Sequence, residues 1–266
     1  MHDVRPAAVA GMFYPGTPER LAGDIRGFLA QAGSSRSSVP KALIVPHAGY
    51  VYSGSIAATA YALLAPLRDV VTRVVLLGPA HRVAVRGLAT TTAKAFATPL
   101  GEIAIDTDAV ALALTFAQVV AKDAAHAHEH ALEVQLPFLQ TVLRRFTLVP
   151  FAIGDATPQD VAEVLDALWG GPETLVVVSS DLSHYHAYGE AQRIDRATAD
   201  AILAMSPTLD HEQACGATPV NALLQCASRR DLSPALLDLR NSGDTAGDRA
   251  RVVGYASFAF SGDGTG

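Results

Sequence analysis

"ALIVPHAGYVYSG" runs from Ala42 to Gly54. Four apolar residues, Ala42 to Val45, lead into Pro46, His47 and Gly49. A short continuous apolar run reads as a strand buried on both faces, and the Pro and Gly mark the turn that ends it. The same grammar returns twice. "RVVLL" (Arg73 to Leu77) leads into Gly78, Pro79, Ala80 and His81, and "TLVVVSS" (Thr174 to Ser180) into Asp181, Leu182, Ser183 and His184. In open α/β sheets, ligands bind beyond the carboxyl ends of the strands. Three strands that each deliver a His or Asp to that end predict a shared pocket.

Working outward, "GLATTT" (Gly87 to Thr92), "TLVPFAI" (Thr147 to Ile153) and "RVVGYASFAF" (Arg251 to Phe260) also read as strands. Helical patterns lie between them. Pro18 to Leu29 carries Leu21, Ile25, Phe28 and Leu29 on one stripe, and Ser55 to Leu64 is rich in alanine. His130 to Arg145 carries a leucine face with a kink expected at Pro137. Asp160 to Trp169, Glu190 to Met205 and Thr218 to Ala227 follow, the last with Thr218 at the N-cap and Pro219 at the first helical position. Ala97 to Asp106 reads as a hairpin and Ala32 to Pro40 as a flexible connector. This alternation of strands and helices is that of a layered α/β fold.

Composition narrows the function. The chain has 266 residues, half of them hydrophobic, enough for one large α/β domain. A net charge of −6 without a Lys/Arg block excludes a nucleic-acid footprint. No apolar run approaches the roughly 20 residues of a membrane span. The first residues, "MHDVRPAAVAGMFYPG", lack the basic start and long apolar region of a signal peptide. Two cysteines are too few for a disulfide framework, so a soluble, cytoplasmic protein is expected.

Cys215, in "QACGATPV", precedes a helix N-terminus, where the dipole favours a thiolate. Cys226, inside that helix, reads as packing. His47, His81 and Cys215 together make a ligand set of two nitrogens and one sulfur. Three protein ligands with one position open mark a reactive metal site, and these donor types suit Zn, Cu or Fe rather than Mg or Ca. Asp181 and His184, three apart, read as a proton-transfer pair or as orienters of the ligands. "HAHEHALEVQ" holds the densest histidines, His126, His128 and His130, with Glu129 and Glu133. It is not an HExxH motif. Its simpler reading is a polar helix start, and its sharper one places His130 at the rim of the pocket. Walker A, GxGxxG and GxSxG patterns are absent, and Ser53, Ser179, Ser180 and Ser183 stand in no nucleophile-elbow context.

In order, "AGMFYPG", "VPHAGYVYSG", "LLGPAH", "PLGEIAID", "EHALEVQLPFL", "SSDLSHY", "CG" and "VVGYAS" resemble the Memo family, often labelled AmmeMemoRadiSam system protein B in bacteria and archaea. The likeness runs from about Ala10 to about Phe260. It implies one domain over residues 1–266, with 260–266 as a frayed tail. It also implies a mixed central sheet flanked by helices, similar to the class III extradiol (LigB-like) non-haem iron dioxygenases. By the same matching, His47, His81 and Cys215 bind iron or copper, with Asp181 and His184 lining the pocket and Phe13 and Tyr52 as walls. The label also implies radical-SAM and AMMECR-type pathway partners. Two departures matter. Extradiol enzymes complete the iron site with a carboxylate where Cys215 stands here, and Phe13 replaces a Trp found in some members. Ring cleavage is therefore not carried over. The expected function is metal-dependent redox chemistry on an unidentified small substrate, with His184 as acid or base. A phosphopeptide-binding adaptor and a zinc hydrolase are the alternatives.

Overall fold

The computed structural model describes residues 3–33 and 39–262. The strands are β1 (Val4–Arg5), β2 (Ala42–Val45), β3 (Arg73–Pro79), β4 (Leu88–Thr90), β5 (Ala95–Thr98), β6 (Gly101–Ala104), β7 (Val119–Ala121), β8 (Thr147–Ile153), β9 (Thr174–Ser179), β10 (His184–His186), β11 (Leu232–Asn241) and β12 (Val252–Gly262). The helices are α1 (Pro18–Gln31), α2 (Tyr50–Tyr61), α3 (Thr107–Ala113), α4 (Asp123–Ala127), α5 (Leu136–Val142), α6 (Pro158–Ala167), α7 (Tyr188–Leu203) and α8 (Ala217–Ser228). A nine-stranded mixed sheet runs β10-β12-β2-β9-β3-β8-β4-β7, with β11 on the other edge of β12. A small sheet, β1-β5-β6, carries the chain's first strand.

At the centre, β2, β9, β3 and β8 pair in parallel, and β2 and β9 are buried throughout. That burial explains their unbroken apolar sequences. Helices flank the sheet: α2 packs on β2 and β12, α8 on β3 and β9, and α6 on α8. Helix α6 starts with a capping box. Thr157 Oγ1 accepts from the Asp160 amide at 3.1 Å, and the Asp160 carboxylate accepts from the Thr157 amide at 2.9 Å.

Several boundaries differ from the sequence reading. Helix α2 starts at Tyr50, five residues early, because Gly49 is its N-cap. Pro137 does not kink a long helix. It lies in the first turn of α5, after a 3₁₀ turn at Glu133–Gln135, where a missing N–H has no partner to lose. Gly216, not Thr218, caps α8. Strand β11 was not expected, because Pro234 and polar residues break its pattern; it pairs with β12 along its length around one register shift. Strand β12 continues through 260–262, so that part of the expected tail is ordered sheet. Residues 263–266, and 34–38 of the expected connector, lie outside the described residues.

The N-terminal arm is tied to the core by a buried ion pair. Arg5, 6% exposed, pairs with Glu133. It also donates from Nε to the His126 carbonyl at 2.9 Å and from Nη2 to the Glu129 carbonyl at 2.8 Å. Glu133 in turn accepts from the amides of Ala8 (2.7 Å) and Val9 (3.0 Å) and from the Tyr14 hydroxyl (2.5 Å). Breaking one partner of a buried pair leaves the other charge uncompensated. Arg5→Ala should therefore lower unfolding free energy by about 3–5 kcal/mol in urea titrations. Arg144→Ala, whose ion pair with Asp69 is exposed on both sides, should leave the urea midpoint essentially unchanged.

Candidate metal centre

Register places the first residues of the site. Ile44, Val178 and Leu77 lie at one level across β2, β9 and β3. His47, Asp181 and His81 follow them by three, three and four residues, so all three leave the same end of the sheet.

His47 is 2% exposed, and its hydrogen bonds define its tautomer. Gln135 Nε2 donates to the Pro46 carbonyl (2.9 Å) and to Ser179 Oγ (2.8 Å), while its Oε1 accepts from the Tyr61 hydroxyl (2.9 Å). Ser179 spends its only proton on the Ala131 carbonyl at 2.6 Å. Ser179 Oγ can then only accept from His47 Nδ1, 3.0 Å away, so the His47 lone pair sits on Nε2, where the Cys215 thiol meets it. The His47 amide donates to Asp181 Oδ1 at 2.7 Å.

Glu129 does the same for His81. Its carboxylate accepts from His81 Nδ1 (2.9 Å) and the His81 amide (2.6 Å), and from the amides of His130 and Ala131 (both 3.0 Å). Burial raises the Glu129 carboxyl, but the His81 and Ala131 bonds outweigh it and hold it down at about 2. An ionised Glu129 keeps the proton of His81 on Nδ1, leaving Nε2 free.

His130 completes the group. One nitrogen each from His47, His81 and His130 lies within 4.8 Å of the others. The ring centroids are 4.8 Å apart for His81 and His130 and 5.4 Å for His47 and His130. His130 Nδ1 is buried and makes no well-formed hydrogen bond, although Glu129 Oε1 lies 3.2 Å from it. Burial, then the charge of neighbouring histidines, lowers His47 to about 3 and His130 to about 4. Both rings are neutral at pH 7. Three imidazoles whose donor nitrogens cluster this closely, two of them neutral, fit a transition-metal ion.

Cys215 stands at the side of this group, its Sγ 3.3 Å from His47 Nε2. Gly216 brings it there. A Cβ on Gly216 would meet the Ser180 side chain at 2.7 Å, so only glycine lets the start of α8 close on β9. The helix-terminus thiolate expected from sequence is not what the surroundings favour. Burial, and then the charge of Asp181, push the thiol up to about 12. Asp181 is itself raised by burial. Thus His130, expected at the wall, belongs to the group of three, whereas Cys215, expected as its third member, reaches it through His47.

The remaining residues lie around this centre. His184 is near enough for its charge to lower both His47 and Asp181. The Phe13 ring rests 4.7 Å from His130, and the same residue lines a cavity of about 650 Å³. Tyr52, 38% exposed, rises from the first turn of α2. The polar-helix reading of "HAHEHALEVQ" fails, because Glu129 and Glu133 are each 1% exposed and bind amides. His126 is buried against the Ala89 carbonyl at 3.0 Å. Ser179, Gln135 and Glu129 were missed as orienters. The adjacency of Glu129 to His130 was the one signal for them.

Fold and site define an α/β protein with a partly buried group of three imidazoles that could hold a metal ion. The chain belongs to the Memo-like protein family, whose model matches residues 5–259. A "MEMO1 family protein" of Methanopyrus kandleri is 35% identical over 96% of this chain and 98% of its own. That of Aquifex aeolicus is 33% identical over 97% and 99%. A crystal structure of an uncharacterized protein from Escherichia coli K12 shares the fold, with a TM-score of 0.54 and 14% identity over 82% of this chain and 98% of that one.

Asp195, from α7, supports the turn that carries His184. It is 2% exposed, accepts from the Ser183 amide at 3.0 Å and lies against Gly254, where a Cβ would come within 2.1 Å of the carboxylate. Burial raises it to about 6. A carboxyl raised on folding weakens the fold as pH climbs from its unfolded value, about 3.9, through 6. Asp195→Asn should remove that loss. At pH 8 the variant should exceed the wild type by roughly 1–3 kcal/mol in chemical denaturation, with the gap closing towards pH 4.

Proposed function

We propose that this chain is a mononuclear metal-dependent redox protein acting on a small substrate. Iron or copper would be held by His47, His81 and His130, with the Cys215 sulfur available beside His47. The reading is carried by one observation, the three donor nitrogens within 4.8 Å of one another, two of them on the neutral rings of His47 and His130. A bound iron or copper ion supplies one-electron chemistry and a Lewis-acidic centre. The protein does the rest. Ser179 and Glu129 fix the Nδ1 protons of His47 and His81, so the Nε2 atoms are the ones that would hold an ion. Cys215 gives up its proton readily only beside a cation, because burial otherwise keeps it a thiol. His184, next to the charge of Asp181, takes or returns a proton at the substrate. Phe13 covers His130 and limits the access of water on that side. We also propose a reducing, cytoplasmic setting, in keeping with Cys215 and Cys226 as free thiols. Among the described residues no helix is long and apolar enough to cross a membrane.

Anaerobic purification, elemental analysis and chelator competition test the proposal. Wild type should carry about one iron or copper per chain, and His47→Ala and His130→Ala should lose it. Ser179→Ala should keep the ligands but weaken affinity about 10–100-fold. Cys215→Ala should alter the electron paramagnetic or optical spectrum of the bound ion. Equal metal content in wild type, His47→Ala and His130→Ala would refute the reading. A native zinc complement, silent in both spectra, would favour hydrolysis instead.

A further inference from the structure

Strand β10 is three residues long, and its middle residue is displaced from the ladder. His184 pairs with Val253 and His186 with Val252, so two steps on β10 face one step on β12. Tyr185 is the extra residue, a β-bulge. Its φ is +63°, in the left-handed region. Glycine normally occupies such a position, because a Cβ there is strained. Met205 and Asp231 also have positive φ, but both sit just past helix ends, where that conformation is routine. Tyr185 has no such excuse. A bulky aromatic in this conformation persists only where its surroundings impose it, and such positions gather at functional sites.

The bulge turns the ring outward. Tyr185 is 63% exposed, so its side chain is not held there by core packing. It stands 5.8 Å from the His184 ring, on the solvent side of the proposed proton carrier. It is close enough to Tyr255 for its charge to act there, together with Tyr52 and Asp181. Over its face lies the guanidinium of Arg251, 5.2 Å from the ring centroid. Arg251 is exposed and makes no ion pair among the described residues. An arginine held over an aromatic ring can keep N–H donors free, and a pair of them matches two oxygens of an oxyanion.

We propose that Tyr185 and Arg251 form an oxyanion-recognising wall at the mouth of the metal centre, and that the substrate carries a carboxylate. Arg251 takes the anionic group, and Tyr185, presented by the bulge, holds the guanidinium in place and sets the distance from the anion to His184. This deepens the function proposed above and rests on it for the identity of the reacting site. The recognition itself is measured separately from metal content.

Binding of acetate, benzoate and inorganic phosphate is followed by ligand-observed NMR on the full chain, with melting temperature and metal content recorded for each variant. Wild type should bind the carboxylates. Arg251→Ala should weaken them about tenfold at unchanged melting temperature, as expected for a lost charged hydrogen bond on an exposed side chain. Tyr185→Gly relieves the strained backbone, so it should melt about 2–4 °C higher than wild type while binding more weakly. A purely structural tyrosine would move the two readouts the other way, with a lower melting temperature and unchanged binding. Carboxylate affinity unchanged in either variant overturns the proposal, as does a wild type that binds none of the probes. Binding of phosphate alone overturns the carboxylate assignment. If carboxylate binding is lost in Arg251→Ala in a protein that never holds metal, the wall stands and the redox reading falls.

Discussion

The in-register parallel pairing of β2, β9 and β3 is the constraint on which the rest depends. Parallel strands end on the same side, so residues a fixed number of steps beyond a shared level converge without any contact between them in sequence. His47 and Asp181 come from adjacent strands and are joined by the amide-to-carboxylate bond of 2.7 Å. A slip of one residue in β2 would exchange its two faces and withdraw His47 from Ser179. The apolar strands therefore do two jobs. Their burial holds the sheet, and their register sets the spacing of the histidines.

The second half of the centre comes from irregular chain. Residues between α4 and α5 form no long helix, and their backbone groups need partners. Glu129 and Glu133 supply them from within. Glu129 accepts from the amides of His81, His130 and Ala131, and Glu133 from those of Ala8 and Val9. Arg5 closes the arrangement by binding the carbonyls of His126 and Glu129 as well as Glu133. The loop that holds His130 is thus kept in shape by charged groups in the interior, and its stability is coupled to that of the N-terminal arm.

This contrast explains what could be read in advance. His47, His81 and Asp181 were legible because each follows an apolar strand, a pattern that depends only on local sequence. Their common location followed from a general property of α/β sheets. His130 was legible only as a rim residue. Its neighbours Glu129 and Glu133, spaced like the exposed face of a helix, gave no sign that they are buried acceptors. The bonds that bury them come from residues more than 40 positions away, except for the amides next to Glu129. Strand β11 was hidden in the same way, since its pairing with β12 is a tertiary choice that Pro234 argues against locally. Tyr185 was illegible because a left-handed bulge is signalled by glycine, and here there is none.

Electrostatics explains why a histidine cluster rather than a carboxylate cluster sits at the sheet end. Two carboxylates, Glu129 and Asp181, already lie behind the rings, and Asp181 is raised by its burial. A third acid among them would add repulsion to desolvation. Imidazoles offer lone pairs without adding negative charge, and the carboxylates behind them are linked to the rings through an Nδ1–H or a backbone N–H. The Cys215 thiol follows the same logic. Its ionisation is opposed by burial and by the charge of Asp181, an opposition that a nearby cation would relieve.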